Sequence, residues 1–176
     1  MREAEWRLSP LTESQGRLLT LWRYPAPYDV YNWPTWAKML ETGYEFADPR
    51  IREQQYLAAH LDTGQLAGFA QLFPMQGWTR LGLGMHPDLC GQGLGRSFVQ
   101  AILCTAQQKA PSKQIDLEVL VWNVRAIRTY EAAGFVITDT YDRRSPDGTN
   151  GRYHCMVAAE SSRVSTDERP ERAEWH

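Results

Sequence analysis

The apolar positions along the chain change period several times, and each change marks an element. Residues 3–8 fit a short strand. Thr12 with Gln15 three positions later resembles a capping box, and Leu18, Leu19 and Trp22 then supply the apolar stripe of a helix. Gly16 weakens that helix by roughly 1 kcal/mol relative to alanine without forbidding it. Residues 54–61 and 65–73 are strand-like runs joined by Asp62-Thr63-Gly64, a tight-turn composition, and predict an antiparallel hairpin. Gln76-Gly77 turns the chain into a further strand at 79–85. Ile115, Leu117, Val119 and Val121 alternate with Asp116, Glu118, Leu120 and Trp122, the period of a strand with one dry face. Asn123 is placed to cap a helix that Gly134 ends, and residues 135–141 and 153–159 read as a final pair of strands around a polar loop at 142–152.

The stretch 81–110 organises the rest. An apolar run ends at Met85, and a turn through His86, Pro87 and Asp88 follows. Gly91, Gly93 and Gly95 stand at alternate positions. Val99, Ile102, Leu103 and Ala106 then recur at the spacing of one helix face. A strand, a glycine loop and a helix start make a ready anion site: the first helical N–H groups have no intrahelical partner, and glycines keep side chains off them. Two other phosphate loops fail on spacing. No Gly-Lys-Ser/Thr triplet occurs, and G-x-G-x-x-G is broken by Arg96 in one register and Phe98 in the other. A flexible turn remains the competing reading of the glycines by themselves.

Between the first helix and the first hairpin lies an aromatic segment, residues 22–46. It holds Trp22, Tyr24, Tyr28, Tyr31, Trp33, Trp36, Tyr44 and Phe46 among Pro25, Pro27 and Pro34, with one short helix expected near 35–41. These rings either cap the hydrophobic core or wall a substrate pocket, and cation–π contact would then favour an apolar or cationic small molecule.

Composition narrows the classes. A chain of 176 residues with 43% hydrophobic and 23% charged residues fits one soluble domain, expected at 1–160, followed by a polar tail at 161–176. A net charge of -2 gives no reason to expect nucleic acid or an anionic membrane as partner. Three cysteines (Cys90, Cys104, Cys155) without C-x-x-C indicate neither a disulfide framework nor a metal knuckle, so no metal is expected. A charged N-terminus and the lack of a membrane-length apolar run point to the cytoplasm.

Two motifs then belong together. Cys90 to Gly95 resembles the Gln/Arg-x-x-Gly-x-Gly/Ala acetyl-coenzyme A signature of the GCN5-related N-acetyltransferase (GNAT) family. Asn123, Ala126, Tyr130, Gly134 and Phe135 resemble its N-x-x-A-x-x-x-Y-x-x-x-G-F segment, with a strand between the two. The resemblance implies an α/β (α+β) fold, the GNAT fold: a central mixed, mostly antiparallel sheet of six to seven strands flanked by about four helices. It implies acetyl-CoA as co-substrate, bound at Gly91, Gln92, Gly93, Leu94, Gly95 and Arg96. A backbone N–H within Leu83, Gly84 and Met85 would hold the acetyl carbonyl, and Asn123 the pantetheine arm. Gly82 and Gly84 suit the close backbone approach or bulge that such a stretch needs. It implies Tyr130 as the general acid, a phenol that stays protonated at neutral pH. Arg96, Ser97 and Arg128 are in line for phosphates. Family members often dimerise, so a homodimer is admitted.

Cys90 departs from the signature, which usually has Gln or Arg there. Cys90 four residues after His86 also suggests a nucleophile–base or metal pair, against an ordinary buried thiol. Glu53, Glu118 and His86 are candidate bases by residue type alone, and a water chain would serve as well. The expected activity is transfer of acetyl to a primary amine, of a small molecule or a peptide, by direct attack. The alternatives are a non-catalytic acyl-CoA-binding module, or a protein-interaction domain using the 22–46 segment.

Overall fold

The protein is described by a computed structural model covering residues 4–144 and 148–160. The expected tail, residue 3 of the first strand and residues 145–147 of the polar loop lie outside the described residues. Seven strands form one sheet: β1 (Trp6–Pro10), β2 (Tyr56–Leu61), β3 (Leu66–Met75), β4 (Trp78–Met85), β5 (Gln114–Leu120), β6 (Phe135–Arg144) and β7 (Asn150–Ala158). Their order is β1-β2-β3-β4-β5-β7-β6. Only β4 and β5 pair in parallel; every other neighbour is antiparallel. The expected mixed, mostly antiparallel sheet is what forms.

Strand alternation separates two cores, one on each face. Leu57 and Ala59 of β2, Ala70 of β3 and Leu81 of β4 pack under α4 (Gly95–Lys109) and α5 (Val124–Ala132), where Phe98, Val99, Ile102 and Ile127 meet them. Tyr56 and Ala58 of β2 and Phe69 of β3 face the other way, against Leu19 of α1 (Glu13–Leu19), Met39 of α2 (Trp36–Thr42) and Phe46. The capping box at Thr12 and Gln15 is present, and Asn123 caps α5 as its position predicts.

Three local expectations need correction. Residues 49–55 form a helix, α3 (Pro49–Gln55), where the reading had loop passing into strand at 54. Asp48 caps it by accepting from the amides of Arg50 and Ile51, and Pro49 supplies a preset first helical residue. β5 is dry on both sides at Asp116, which is 4% exposed because Arg80 covers it with two hydrogen bonds. The last two strands also run further into the polar loop than read, to Arg144 and from Asn150.

The aromatic segment divides. Trp22 and Phe46 lie in the second core, and Trp33 and Trp36 pack against it. Four of the eight rings therefore belong to the core or pack on it. Tyr24, Tyr28 and Tyr31 turn elsewhere.

The relationship that positions the site is an interrupted ladder. β4 and β5 pair from Trp78↔Gln114 to Leu81↔Leu117 and no further. Beyond that pair, residues 82–85 stay with β3, while residues 118–120 stay with β7. Two adjacent parallel strands part there, leaving a cleft through the middle of the sheet.

Candidate active site

One wall of the cleft is the end of β4. Gly84 lies so close to Phe69 that a Cβ would stand 2.5 Å from Cε1 of that ring, and one on Gly82 would meet Gln71 at 3.4 Å. The β3–β4 register carries no shift, so close approach rather than a bulge is what these glycines serve. Leu83 and Met85 point to the opposite face and pack on the first core. The Tyr24 hydroxyl donates to the Met85 carbonyl oxygen at 2.6 Å. Burial holds this phenol well above its usual pKa of about 10.

The glycine loop opens onto the same end. Gly91 and Gly93 adopt φ of 78° and 79°, a region other residues avoid, with no heavy atom within 4 Å of a Cβ built on either. Gly95 serves a different end: a Cβ there would stand 2.8 Å from Cγ2 of Thr129, so this glycine lets α4 approach α5. Leu94 leads into α4 without any side-chain cap, which leaves the first amides of a 15-residue helix to a ligand. The Gln92 side chain turns back to donate to the Asp88 carbonyl, and Arg96 is exposed. Ser97 is engaged otherwise: it accepts from Trp6 Nε1 at 2.9 Å and donates to the Leu94 carbonyl. Arg128 is exposed on α5.

Cys90 directs its thiol at the Met85 and His86 carbonyl oxygens, 3.9 and 3.6 Å away, and burial pushes its pKa up. His86 accepts from the Asp88 amide through Nδ1 and packs its ring on Trp22. The thiol lies against backbone rather than imidazole, so no nucleophile–base pair forms. Among the described residues no group of His, Cys, Asp and Glu could hold a metal ion.

The facing wall is the start of α5. Asn123 is 7% exposed; its Oδ1 accepts from the Ala126 amide and its Nδ2 donates to the Tyr31 hydroxyl at 3.0 Å. Tyr28 and Tyr31 flank Trp122, and the Arg125 guanidinium lies 4.1 Å over the Tyr28 ring. Tyr130 packs on the first core beside Phe135, and burial holds its phenol far above the ordinary value, with Tyr31 adding to the rise.

Of the carboxylate candidates, Glu118 accepts from the Tyr141 hydroxyl and pairs with Arg80 at 3.2 Å and Arg143 at 3.0 Å, so its charge is compensated. Glu53 is exposed on α3. Tyr24 and Tyr31 reach this region without any signal of spacing to announce them. The glycine loop follows β4 and Asn123 follows β5, the two strands that part.

Comparison with known proteins adds to this geometry. The model of the acetyltransferase (GNAT) family matches residues 19–135. The structure of AAC(6')-Ib in complex with ribostamycin and coenzyme A is similar at a TM-score of 0.69 and 24% identity, covering 92% of this chain and 98% of that one. Spermidine N-acetyltransferase from Vibrio cholerae, in complex with CoA and spermine, is similar at 0.70 and 16% identity, with 86% and 94% covered. At these identities the likeness speaks to the fold. No curated protein matches significantly in sequence.

Proposed function

The chain belongs to the acetyltransferase (GNAT) family, and on that premise we propose that it moves acetyl from acetyl-CoA to a primary amine by direct attack, without an acyl-enzyme. The observation that carries this reading is the parting of β4 from β5 immediately before an open glycine loop. The residues fit the co-substrate: two left-handed glycines free of neighbours and an uncapped helix start suit a pyrophosphate.

In this reading the amides from Gly91 to Arg96, with Gln92 and Leu94 between the glycines, bind the pyrophosphate. Asn123 keeps one amide hydrogen and one lone pair beyond its bonds to Tyr31 and Ala126, enough for an amide of the pantetheine arm. A backbone N–H among Leu83, Gly84 and Met85 polarises the acetyl carbonyl as negative charge develops on its oxygen. Acetyl-CoA supplies a thioester and a sulfur leaving group. Tyr130, kept protonated by burial, gives that sulfur its proton as the C–S bond breaks and the new C–N bond forms. The amine loses its proton to a water chain, since Glu118 is held by two arginines and His86 by its own turn. Spermine and ribostamycin, bound by the proteins of similar fold, belong to the same acceptor chemistry.

No helix among the described residues is long and apolar enough to cross a membrane, and Cys90, Cys104 and Cys155 are free thiols, which supports a reducing cytoplasm. A homodimer is the oligomeric state the family leads us to expect, and sedimentation tests it.

Calorimetric titration with acetyl-CoA, followed by release of thiol in the presence of amines, tests the assignment. We expect micromolar binding and amine-dependent thiol release. An absence of binding at millimolar acetyl-CoA overturns it.

A further inference from the structure

Glu45 opens the short 3-10 turn Glu45–Ala47, on the sheet face away from α4 and α5. Its Oε2 accepts from the Tyr56 hydroxyl at 2.6 Å and from Gln71 Nε2 at 3.1 Å. The Gln71 amide is fixed from its other side by Gln55 Oε1 at 2.8 Å. Gln71 pairs with Gly82, and its side chain lies over the space where a Cβ on Gly82 would be. Gly82 is the first residue of β4 beyond the last pair with β5. The carboxylate is therefore one side chain away from the cleft.

Its charge is unanswered. Glu13, Glu41, Asp116 and Glu118 each have an arginine or lysine, whereas both donors to Glu45 are neutral and no cation among the described residues pairs with it. Its second oxygen, Oε1, has no hydrogen-bond partner among the described residues. A half-buried carboxylate in that state favours a cation beside it. The backbone there is held at φ 50°, where a non-glycine residue is uncommon. Tyr44, which precedes it, and Trp33, edge-on to that ring at 6.3 Å, add aromatic faces that attract cations. Glu118 flanks the cleft from the β5 side but is already neutralised, so Glu45 is the carboxylate left to a ligand.

We propose that Glu45 binds a second, non-reacting ammonium group of the acceptor, which makes the acceptor a diamine or larger polycation. The stretch assigned to the acetyl carbonyl begins one residue beyond Gly82 and ends three beyond it, about 3–10 Å further along β4. Glu45 stands beyond Gly82 by the length of the Gln71 side chain, so the spacer between the two nitrogens has to cover both stretches. This inference rests on the transferase reading above.

Alkyl monoamines and terminal diamines of matched length, assayed with the wild-type chain and with Glu45→Gln, test it. Glutamine keeps an acceptor for Tyr56 and Gln71 while removing the charge. We expect the wild type to prefer diamines by about tenfold or more in kcat/KM, from KM, as a charge-assisted hydrogen bond supplies. Glu45→Gln should lose that preference with kcat within about twofold and monoamine turnover unchanged. Acetyl-CoA affinity and melting temperature, measured alongside, should match wild type. Equal preference in wild type and variant overturns the anchor while leaving the transferase standing. A wild type that acetylates neither series overturns the diamine acceptor, whereas one that does not bind acetyl-CoA overturns the transferase reading itself.

Discussion

Tyr24 and Met85 stand 61 positions apart and are joined by a 2.6 Å hydrogen bond from phenol to backbone carbonyl. The bond ties the aromatic segment to the last residue of β4, beside the cleft, and Cys90 reaches the same carbonyl from the glycine loop. Tyr24→Phe removes the stronger of the two donors and leaves a buried acceptor with a weak thiol. We expect a loss of about 1–2 kcal/mol in stability, or a fall of several degrees in melting temperature. A several-fold loss in kcat/KM for acetyl transfer should accompany it, read by scanning calorimetry and thiol release.

Tyr130→Phe keeps the ring, its packing on Phe135 and the shape of the helix. We expect kcat to fall by about 10²-fold or more, the range of a lost general acid, while acetyl-CoA affinity stays within about threefold. A kcat unchanged in this variant would assign the phenol to packing alone.

Gly93 and Gly95 should respond differently. Gly93→Ala forces a methyl into a left-handed position with open space around it, so the fold survives at a cost of about 1 kcal/mol. The methyl then faces the ligand, and acetyl-CoA should bind about tenfold or more weakly by calorimetry. Gly95→Ala instead places a methyl against Thr129, pushes α4 off α5, and should appear first in thermal stability.

Arg80→Met leaves Asp116 buried and without its guanidinium, and takes one of two arginines from Glu118. Removing one partner of such a pair costs about 3–5 kcal/mol, whereas the double change with Asp116→Leu should recover most of it. Urea unfolding of the wild type and the two variants checks this. An Arg80→Met variant as stable as the wild type would show the pair to be dispensable.

Stability should fall in alkali. Burial raises the phenol pKa of Tyr24, Tyr56 and Tyr130. Unfolded phenols ionise near pH 10, so above that pH the unfolded chain loses protons that the folded chain keeps. The stabilisation is complete below about pH 10 and is lost progressively as pH rises past it. An ultraviolet titration of the folded protein should show these tyrosines ionising late, together with unfolding.

Local chemistry was legible in the sequence and long-range pairing was not. Gly91 and Gly93 declare a left-handed loop because few other residues tolerate one. Asn123, Tyr130 and Gly134 declare a capped helix because caps act within a few residues. α3 escaped because its seven residues carry one apolar side chain for a period to act on, Ile51; the Asp48-Pro49 pair was the remaining signal. Tyr31 meets Asn123 across 92 positions from a segment without periodicity, and nothing local foretells that bond. Alternation along β5 put Glu118 opposite Leu117 and Val119 but took that side for the wet one, whereas the Glu118 side chain is 10% exposed. It was silent on the two arginines that neutralise it.

A continuous sheet is a partition that no small molecule crosses. The one here is perforated where Leu81 and Leu117 make the last rung between β4 and β5. Thioester and amine can then arrive from opposite sides and meet within the thickness of the backbone, so neither blocks the entrance of the other. Initial rates measured at several fixed amine concentrations should accordingly give intersecting rather than parallel reciprocal lines. Each spent product would leave by the side on which it came.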